Sequence, residues 1–156
     1  HPGSPAAIDD FVVGAFPTSH DAREPCGFTL GSGDLRFTCC TDSGVITGPV
    51  LGLLRASDSI LLESNHCPEM LRTGPYPEAL KRRIRSRRGH LSNTSAAACL
   101  RALGGDAGAV ILGHLSEINN TPEKALASAK EGLGLFCGGT WVVVGKQHRP
   151  SETVEI

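Results

Sequence analysis

The sequence contains no long apolar segment, few aromatic residues and almost no net charge. Its apolar runs, such as residues 60–62 and 141–144, are far shorter than the roughly 20 residues that cross a bilayer, so no membrane partner is expected. Phe, Trp and Tyr make up only 4% of the 156 residues, which leaves few rings to stack on nucleic-acid bases. The formal net charge of −1 provides no overall field that would recruit a polyanion.

The six cysteines also lack the patterns that would define a metal ribbon or a disulfide framework. No CxxC pair is present, and Cys39 and Cys40 are adjacent in a predicted strand, where their side chains point to opposite faces. Cys99 lies among alanines in a predicted helix and is expected to be a small buried apolar residue. We therefore expect reduced cysteines and a cytoplasmic protein.

What remains is the composition of a globular protein, with 40% hydrophobic and 20% charged residues. Length and composition predict a single domain over residues 1–145, followed by a polar tail over residues 146–156. No linker-like segment divides the domain.

Short apolar stretches and helical patterns alternate along most of the chain. The predicted strands are residues 11–16, the hairpin arms 27–30 and 35–40, and residues 59–62, 109–112 and 140–145. The predicted helices are residues 49–56, 77–88, 94–103 and 122–133, the last with Thr121 as N-cap and Pro122 at its first position. This order predicts an α/β protein with one mixed sheet carrying helices.

A run of positive charge interrupts this even composition. Six basic residues lie within eight positions, namely Lys81, Arg82, Arg83, Arg85, Arg87 and Arg88. Such a run forms either a solvated helix face or a surface that binds a phosphate backbone.

Polar residues that could carry chemistry follow several of the strands. The strand FVVGAF precedes His20 and Asp21, LRFTCC precedes Asp42, SILL precedes Glu63 and His66, and AVIL precedes His114. Because ligands of open α/β sheets gather beyond the strand ends, these imidazoles and carboxylates are candidates for a hydrolytic metal site. Taken singly, each is equally compatible with a surface hydrogen bond or a turn.

The tetrapeptide GHLS occurs twice, at residues 89–92 and 113–116, in unlike surroundings. The second copy follows an apolar strand, whereas the first precedes a helix whose N-cap is Ser92 or Asn93. A helix N-terminus suits a phosphate oxygen. The unlike flanks argue against a duplicated unit and in favour of two different roles.

Six motifs in order, SHDAREPCGF, TDSGV, LLESNHCPEML, YPEALKRRI, GHLSN and GHLSEINN, resemble the metallo-β-lactamase-fold hydrolases. The resemblance is to the YycJ-type exonuclease branch, which is related to the tRNA-processing nuclease RNase Z, and it runs from about residue 8 to residue 127. It implies the C-terminal half of an αββα sandwich, a mixed sheet with helices packed on one face.

The resemblance also implies a role for each matching residue. His20 would bind one metal ion, Asp42 would bridge two, and His114 would bind the second. His90 would donate a proton to the leaving oxygen. Ser92 and Asn93 would face the substrate phosphate, with Arg82 and Arg83 as further phosphate contacts and Asn65 and His66 as neighbours of the site.

One departure from the family is large. Its members carry an HxHxDH motif in an N-terminal half, which supplies further metal ligands, and this sequence has no such motif; His1 has no companion. The chain is therefore a fragment of a longer enzyme, one of two polypeptides that complete the site together, or an inactive relative. The intact motifs favour the first of these interpretations.

These observations predict a metal-dependent phosphodiester hydrolase that uses two divalent ions, zinc or manganese, to act as a nuclease on DNA or RNA, most simply an exonuclease. The predicted partners are the nucleic-acid substrate and the missing half of the fold, in the same or another chain. The alternatives are hydrolysis of a small phosphodiester or a thioester, and a binding module without activity.

Overall fold

The computed structural model describes residues 4–153, which form a seven-stranded mixed sheet with helices. The strands are β1 (Ala6–Ile8), β2 (Phe11–Pro17), β3 (Cys26–Ser32), β4 (Leu35–Cys40), β5 (Ser59–Glu63), β6 (Ala109–Gly113) and β7 (Trp141–Val144). The helices are α1 (Gly48–Arg55), α2 (Pro68–Thr73), α3 (Glu78–Ile84), α4 (Asn93–Leu103) and α5 (Pro122–Leu133), with a 3₁₀ turn at Gly134–Gly138. His1 and the last three residues of the polar tail lie outside the described residues, and residues 146–153 form neither helix nor strand.

The strands follow one another in the sheet in sequence order, and the pairing changes from antiparallel to parallel at β4. A two-residue turn at Gly33 and Asp34 joins β3 to β4, and Gly33 has a φ of +58°, which costs glycine little. The parallel strands β4–β7 are joined by helical crossovers. As a result β2, β4, β5 and β6 all run in the same direction and end at one edge of the sheet, here called the site edge.

The hydrophobic core lies between one face of the sheet and helices α1, α4 and α5. Cys40, Ile60, Leu62 and Leu112 point to this face and are completely buried. Burial of one such leucine or isoleucine side chain stabilises a fold by about 1.5–3 kcal/mol. The predicted α/β class, with a mixed sheet and helices on one face, is thus confirmed.

The opposite face of the sheet carries apolar side chains that no described element covers fully. Cys39, Leu61 and Ile111 form one register row across three strands and are half-buried, while Phe28 and Trp141 are 42% and 44% exposed. With the tail residues after β7, part of this face forms a groove of about 1250 Å³. Among residues 4–153, no helix combines the length and apolar character that crossing a bilayer requires.

Most elements predicted from local patterns are present, but one helix is shorter than predicted. Helix α3 ends at Ile84 rather than at Arg88, because the chain turns and the N–H of His90 donates to the carbonyl of Ile84. Gly89 makes this turn possible, since a Cβ there would lie 2.2 Å from the Ile84 carbonyl oxygen. The last three arginines of the basic run therefore belong to a loop. Strand β1 and the six-residue helix α2 were not predicted from the sequence.

Candidate metal centre

The strand ends bring five side chains together at the site edge. Asp42, Glu63 and His114 follow or end β4, β5 and β6, and His90 follows the loop after α3. Each of these four residues offers one potential ligand atom, and the four atoms all lie within 4.8 Å of one another. His20, which follows β2, adds a third imidazole, with its Nε2 3.7 Å from Asp42 Oδ1.

The imidazole of His20 is fixed by a backbone contact. Its Nδ1 lies 2.9 Å from the carbonyl oxygen of Gly89, so Nδ1–H donates to that oxygen and Nε2 keeps its lone pair. Nε2 faces both Asp42 and, at 3.6 Å, Asp21 Oδ1. Metal-binding histidines characteristically donate their second ring N–H to a carbonyl or carboxylate in this way.

Glu63 forms the centre of the cluster and has no exposed surface. Its Oε1 accepts hydrogen bonds from Nδ1 of His90 at 2.8 Å and from Nδ1 of His114 at 2.7 Å. Its Oε2 accepts from the N–H groups of Ser43 at 3.0 Å and Leu91 at 3.2 Å. One carboxylate therefore orients two imidazoles while two backbone groups hold it in place.

These hydrogen bonds determine the charge of the cluster. Burial favours the neutral form of the Glu63 carboxyl, but the hydrogen bonds from His114, His90 and the Ser43 N–H outweigh it and hold the pKa at about 2. The same contact raises the pKa of His114, because a proton on the ring is stabilised by the carboxylate. Glu63 is thus an anion at neutral pH.

The first GHLS copy places its imidazole directly beside the other two. The ring of His90 has its centroid 4.8 Å from that of His20 and 5.1 Å from that of His114, and its Nδ1 is 3.6 Å from Asp42 Oδ1. His90 is half-buried, so one side of the ring remains accessible.

The backbone is strained at two of the clustered residues. Asp42 and His114 have φ angles of +51° and +56°, in the left-handed region that costs a non-glycine residue about 1–3 kcal/mol. Nearby hydrogen bonds hold both: the Gly44 N–H donates to the Ser19 carbonyl, and the Asn65 amide donates to the His114 carbonyl at 2.9 Å. Strain of this kind concentrates at functional sites.

Asn65 connects the two GHLS copies. Its N–H donates to the Leu91 carbonyl in the first copy, and its carbonyl accepts from the Ser116 N–H in the second, both at 2.8 Å. Its side chain holds the carbonyl of His114. The two tetrapeptides thus lie on either side of the segment that follows β5, and each directs its histidine onto Glu63.

Replacing Asn65 by alanine should weaken metal binding about 10–100-fold, because the strained backbone at His114 loses the amide that holds it. Competition with a chromogenic chelator measures this affinity. Asn119→Ala is the matched control: Asn119 is also buried, and its side-chain atoms have no hydrogen-bond partner among residues 4–153. Equal metal affinity in the two variants would contradict the role assigned to Asn65.

Three residues named from the sequence differ in their burial and contacts. His66 is buried, which lowers its pKa to about 4, and its Nδ1 has no hydrogen-bond partner in the described part of the chain. Asn93 is buried and bonded to Ser64 and Asn120. Ser92 is the N-cap of α4, where its Oγ accepts from the Ser95 N–H.

The two arginines named from the sequence differ in their contacts. Arg83 forms a two-pronged ion pair with Asp21, which lowers the pKa of that carboxyl to about 2. Arg82 is exposed and has no ion pair among the described residues. Asp21 follows His20, so the ion pair ties α3 to the site edge.

The donor set fits a divalent cation. It combines imidazole nitrogens and carboxylate oxygens, which are the ligands of zinc and manganese sites. Nδ1 of His20 has a fixed acceptor in the Gly89 carbonyl, which leaves its Nε2 as a ligand atom beside Asp42. From the sequence, His20, Asp42 and His114 were predicted as metal ligands and His90 as the proton donor. Glu63 was named only as a strand-end candidate, without the orienting contacts that the structure gives it.

No protein-family model matches the chain. Among curated proteins it is 38% identical over 141 residues to exodeoxyribonuclease WalJ of Streptococcus pneumoniae, covering 85% of this chain and 52% of that protein. It is 34% identical over 132 residues to exodeoxyribonuclease YycJ of Bacillus anthracis, covering 84% of this chain and 50% of that protein. The chain thus spans about half the length of the curated relatives it matches.

Solved structures show the same fold at low identity. The metallo-β-lactamase fold protein YhfI of Bacillus subtilis matches with a TM-score of 0.69 at 16% identity, over 94% of this chain and 50% of that one. Zn²⁺-bound PqqB of Methylobacterium extorquens matches with a TM-score of 0.67 at 14% identity, and the match covers 100% of this chain and 51% of that one. The short form of human tRNase Z matches with a TM-score of 0.59 at 16% identity, and the match covers 97% of this chain and 46% of that one.

These structural matches establish the fold alone, since their names cover several kinds of protein. The sequence matches are more specific, because they exceed 30% identity over 84–85% of this chain. The chain is therefore a relative of about half of the WalJ and YycJ exodeoxyribonucleases, and it has the metallo-β-lactamase fold.

Proposed function

We propose that the chain is part of a metal-dependent phosphodiester hydrolase, an exonuclease that acts on DNA. The observation that carries this proposal is the meeting of His20, Asp42, Glu63, His90 and His114 at one edge of the sheet. The names of the two relatives, both exodeoxyribonucleases, support the substrate class.

His20, Asp42 and His114 would hold two divalent cations, zinc or manganese, together with ligands from outside this chain. Asp42 is suited to a position between the two cations, because its Oδ1 lies 3.7 Å from Nε2 of His20 and 3.6 Å from Nδ1 of both His90 and His114. Bound cations of this kind activate a water molecule and stabilise the charge that develops on the phosphate.

His90 is the proposed proton donor to the leaving oxygen. Its Nδ1 is bonded to Glu63, which fixes the ring and leaves Nε2 to carry the proton. Glu63 accepts this hydrogen bond as an anion and so holds the ring in one orientation. Glu63 acts here through its two histidines and is a positioning residue.

Ser92 and Asn93 would face the substrate phosphate from the N-terminus of α4, where the Asn93 side chain is buried and Ser92 Oγ accepts from the Ser95 N–H. The Asn93 N–H donates to the carbonyl of His66, and Ser92 and His66 form an isolated parallel bridge. These contacts set the position of the backbone that follows His90.

The uncovered apolar face is the proposed contact with the remaining half of the fold, in the same or another polypeptide. Because the matched relatives are about twice as long as the aligned part, a second segment of similar size is available in them. An apolar sheet face of this extent gains stability when it is covered. The cytoplasm is the proposed location, because the reduced thiols predicted from the sequence suit that compartment.

The direct test is a nuclease assay of the full-length natural protein. With zinc or manganese supplied, end-labelled DNA should be shortened nucleotide by nucleotide from one end, and a chelator should stop the reaction. RNA and a small phosphodiester serve as alternative substrates. A protein that releases no nucleotide from DNA with either metal would overturn the proposal, and faster turnover of a small substrate would favour a different hydrolase.

A further inference from the structure

The basic run predicted from the sequence divides into two groups in the structure. Lys81 and Arg85 lie 3.3 Å and 3.9 Å from the carboxylate of Glu78, and Arg83 is paired with Asp21. Two carboxylates therefore lie within ion-pair distance of these three cations. The other three arginines are exposed and have no carboxylate within ion-pair distance in residues 4–153, namely Arg82, Arg87 and Arg88.

Two of the unbalanced arginines belong to the loop after α3, residues 85–89, and this loop is fastened to the segment that carries His20. The Ser19 hydroxyl donates to the Arg87 carbonyl at 2.7 Å. The His20 ring donates to the Gly89 carbonyl, and Arg88 Nε donates to the His20 carbonyl at 3.3 Å. The loop therefore forms a wall of the candidate metal centre.

Close backbone packing fixes the loop on its other side. A Cβ at Gly44 would lie 2.4 Å from the Ser86 carbonyl oxygen and 2.6 Å from the backbone of Arg87. Gly44 belongs to the turn after Asp42, so the loop is packed between two segments that carry clustered residues. Its position relative to the metal centre is therefore fixed by this close backbone packing together with the hydrogen bonds of Ser19, His20 and Arg88.

Arg88 is held at one nitrogen and free at the others. Its Nε is bonded to the His20 carbonyl, while its two terminal nitrogens make no hydrogen bond with the described residues. The side chain of Arg87 is exposed and makes no hydrogen bond with them either; only its carbonyl is bonded. Guanidinium groups with several free N–H donors bind phosphate oxygens well.

We propose that Arg87 and Arg88 bind backbone phosphates of the nucleic-acid strand beside the scissile bond, and that the loop rather than helix α3 is the main substrate contact. This inference rests on the proposed function, which it refines by locating the strand. The scarcity of aromatic residues agrees with recognition through phosphates and not through bases.

The test is binding of a fluorescent single-stranded oligonucleotide to the full-length natural protein, measured by anisotropy as salt is raised between about 50 and 200 mM. Replacing Arg87 and Arg88 by glutamine should weaken binding about tenfold or more and lower the salt slope by about 1.4, since each lost phosphate contact accounts for about 0.7 on single strands. A thermal melt confirms that the variant is folded.

Arg101→Gln is the matched control. Arg101 is exposed in the last turn of α4, outside the loop. This variant should keep wild-type affinity and salt slope. If the double variant binds as tightly as the wild type, or if Arg101→Gln weakens binding equally, the inference is wrong.

The two proposals fail in different ways. A wild-type protein that binds the oligonucleotide through Arg87 and Arg88 but never cleaves it would overturn the hydrolase function and leave this surface in place. If the wild-type protein cleaves DNA but the double variant binds the oligonucleotide normally, the assignment of Arg87 and Arg88 as phosphate contacts is wrong and the hydrolase function stands.

Discussion

Asp42→Asn should lower kcat/KM on DNA by more than about 10³-fold, equivalent to about 4 kcal/mol of transition-state stabilisation. The amide keeps the shape of the side chain but removes the negative charge and one of the two acceptor oxygens that three imidazoles face. A cation at this position then loses a carboxylate oxygen that lies within 3.7 Å of a nitrogen of each of the three imidazoles. Metal content by inductively coupled plasma analysis should fall together with the activity.

Asp106→Asn provides the comparison for this substitution. Asp106 is exposed, pairs with Arg55 and follows α4 at the end remote from the cluster, so the same chemical change should leave metal content and turnover at wild-type levels. Retention of full metal content and activity by Asp42→Asn would remove Asp42 from the metal centre.

His90→Asn should reduce turnover of DNA by about 10²–10⁴-fold, the range that a positioned proton donor contributes. The loss should shrink to less than about tenfold on a p-nitrophenyl phosphodiester, because that leaving group departs without a proton. Steady-state kinetics on both substrates measures the difference. Metal content should remain near that of the wild type, since in our proposal His90 acts on the substrate.

His148→Asn is the control for this comparison, because His148 is exposed, bonds to Glu117 and lies in the tail after β7. It should alter neither substrate's turnover. Equal losses on the two substrates in His90→Asn, accompanied by loss of metal, would instead identify His90 as a metal ligand.

Local patterns in the sequence were sufficient to predict most of the elements. Thr121 and Pro122 define the start of α5 as predicted, since a threonine cap followed by proline has a local physical cause. The strand ends were predicted in the same way, because an apolar stretch followed by His or Asp is visible in the sequence. Strand direction then determines which of those ends meet.

The end of α3 and the role of Glu63 depend on distant contacts, and the sequence alone did not indicate them. The basic run is compatible with a helix through Arg88, and the chain turns there because Gly89 and Arg87 bond to the segment around His20, nearly 70 residues earlier. The four hydrogen bonds to Glu63 come from three separate segments. A carboxylate at the end of one strand gives no sign of them.

The single oxygen of Glu63 that serves both His90 and His114 has a consequence for how such a centre evolves. Neither imidazole can be exchanged or shifted without disturbing the oxygen that orients the other, because both rings donate to the same Oε1. Changes at the two positions should therefore be inherited as a pair, and a lineage that lost the shared carboxylate would have to rebuild both halves of its chemistry at once.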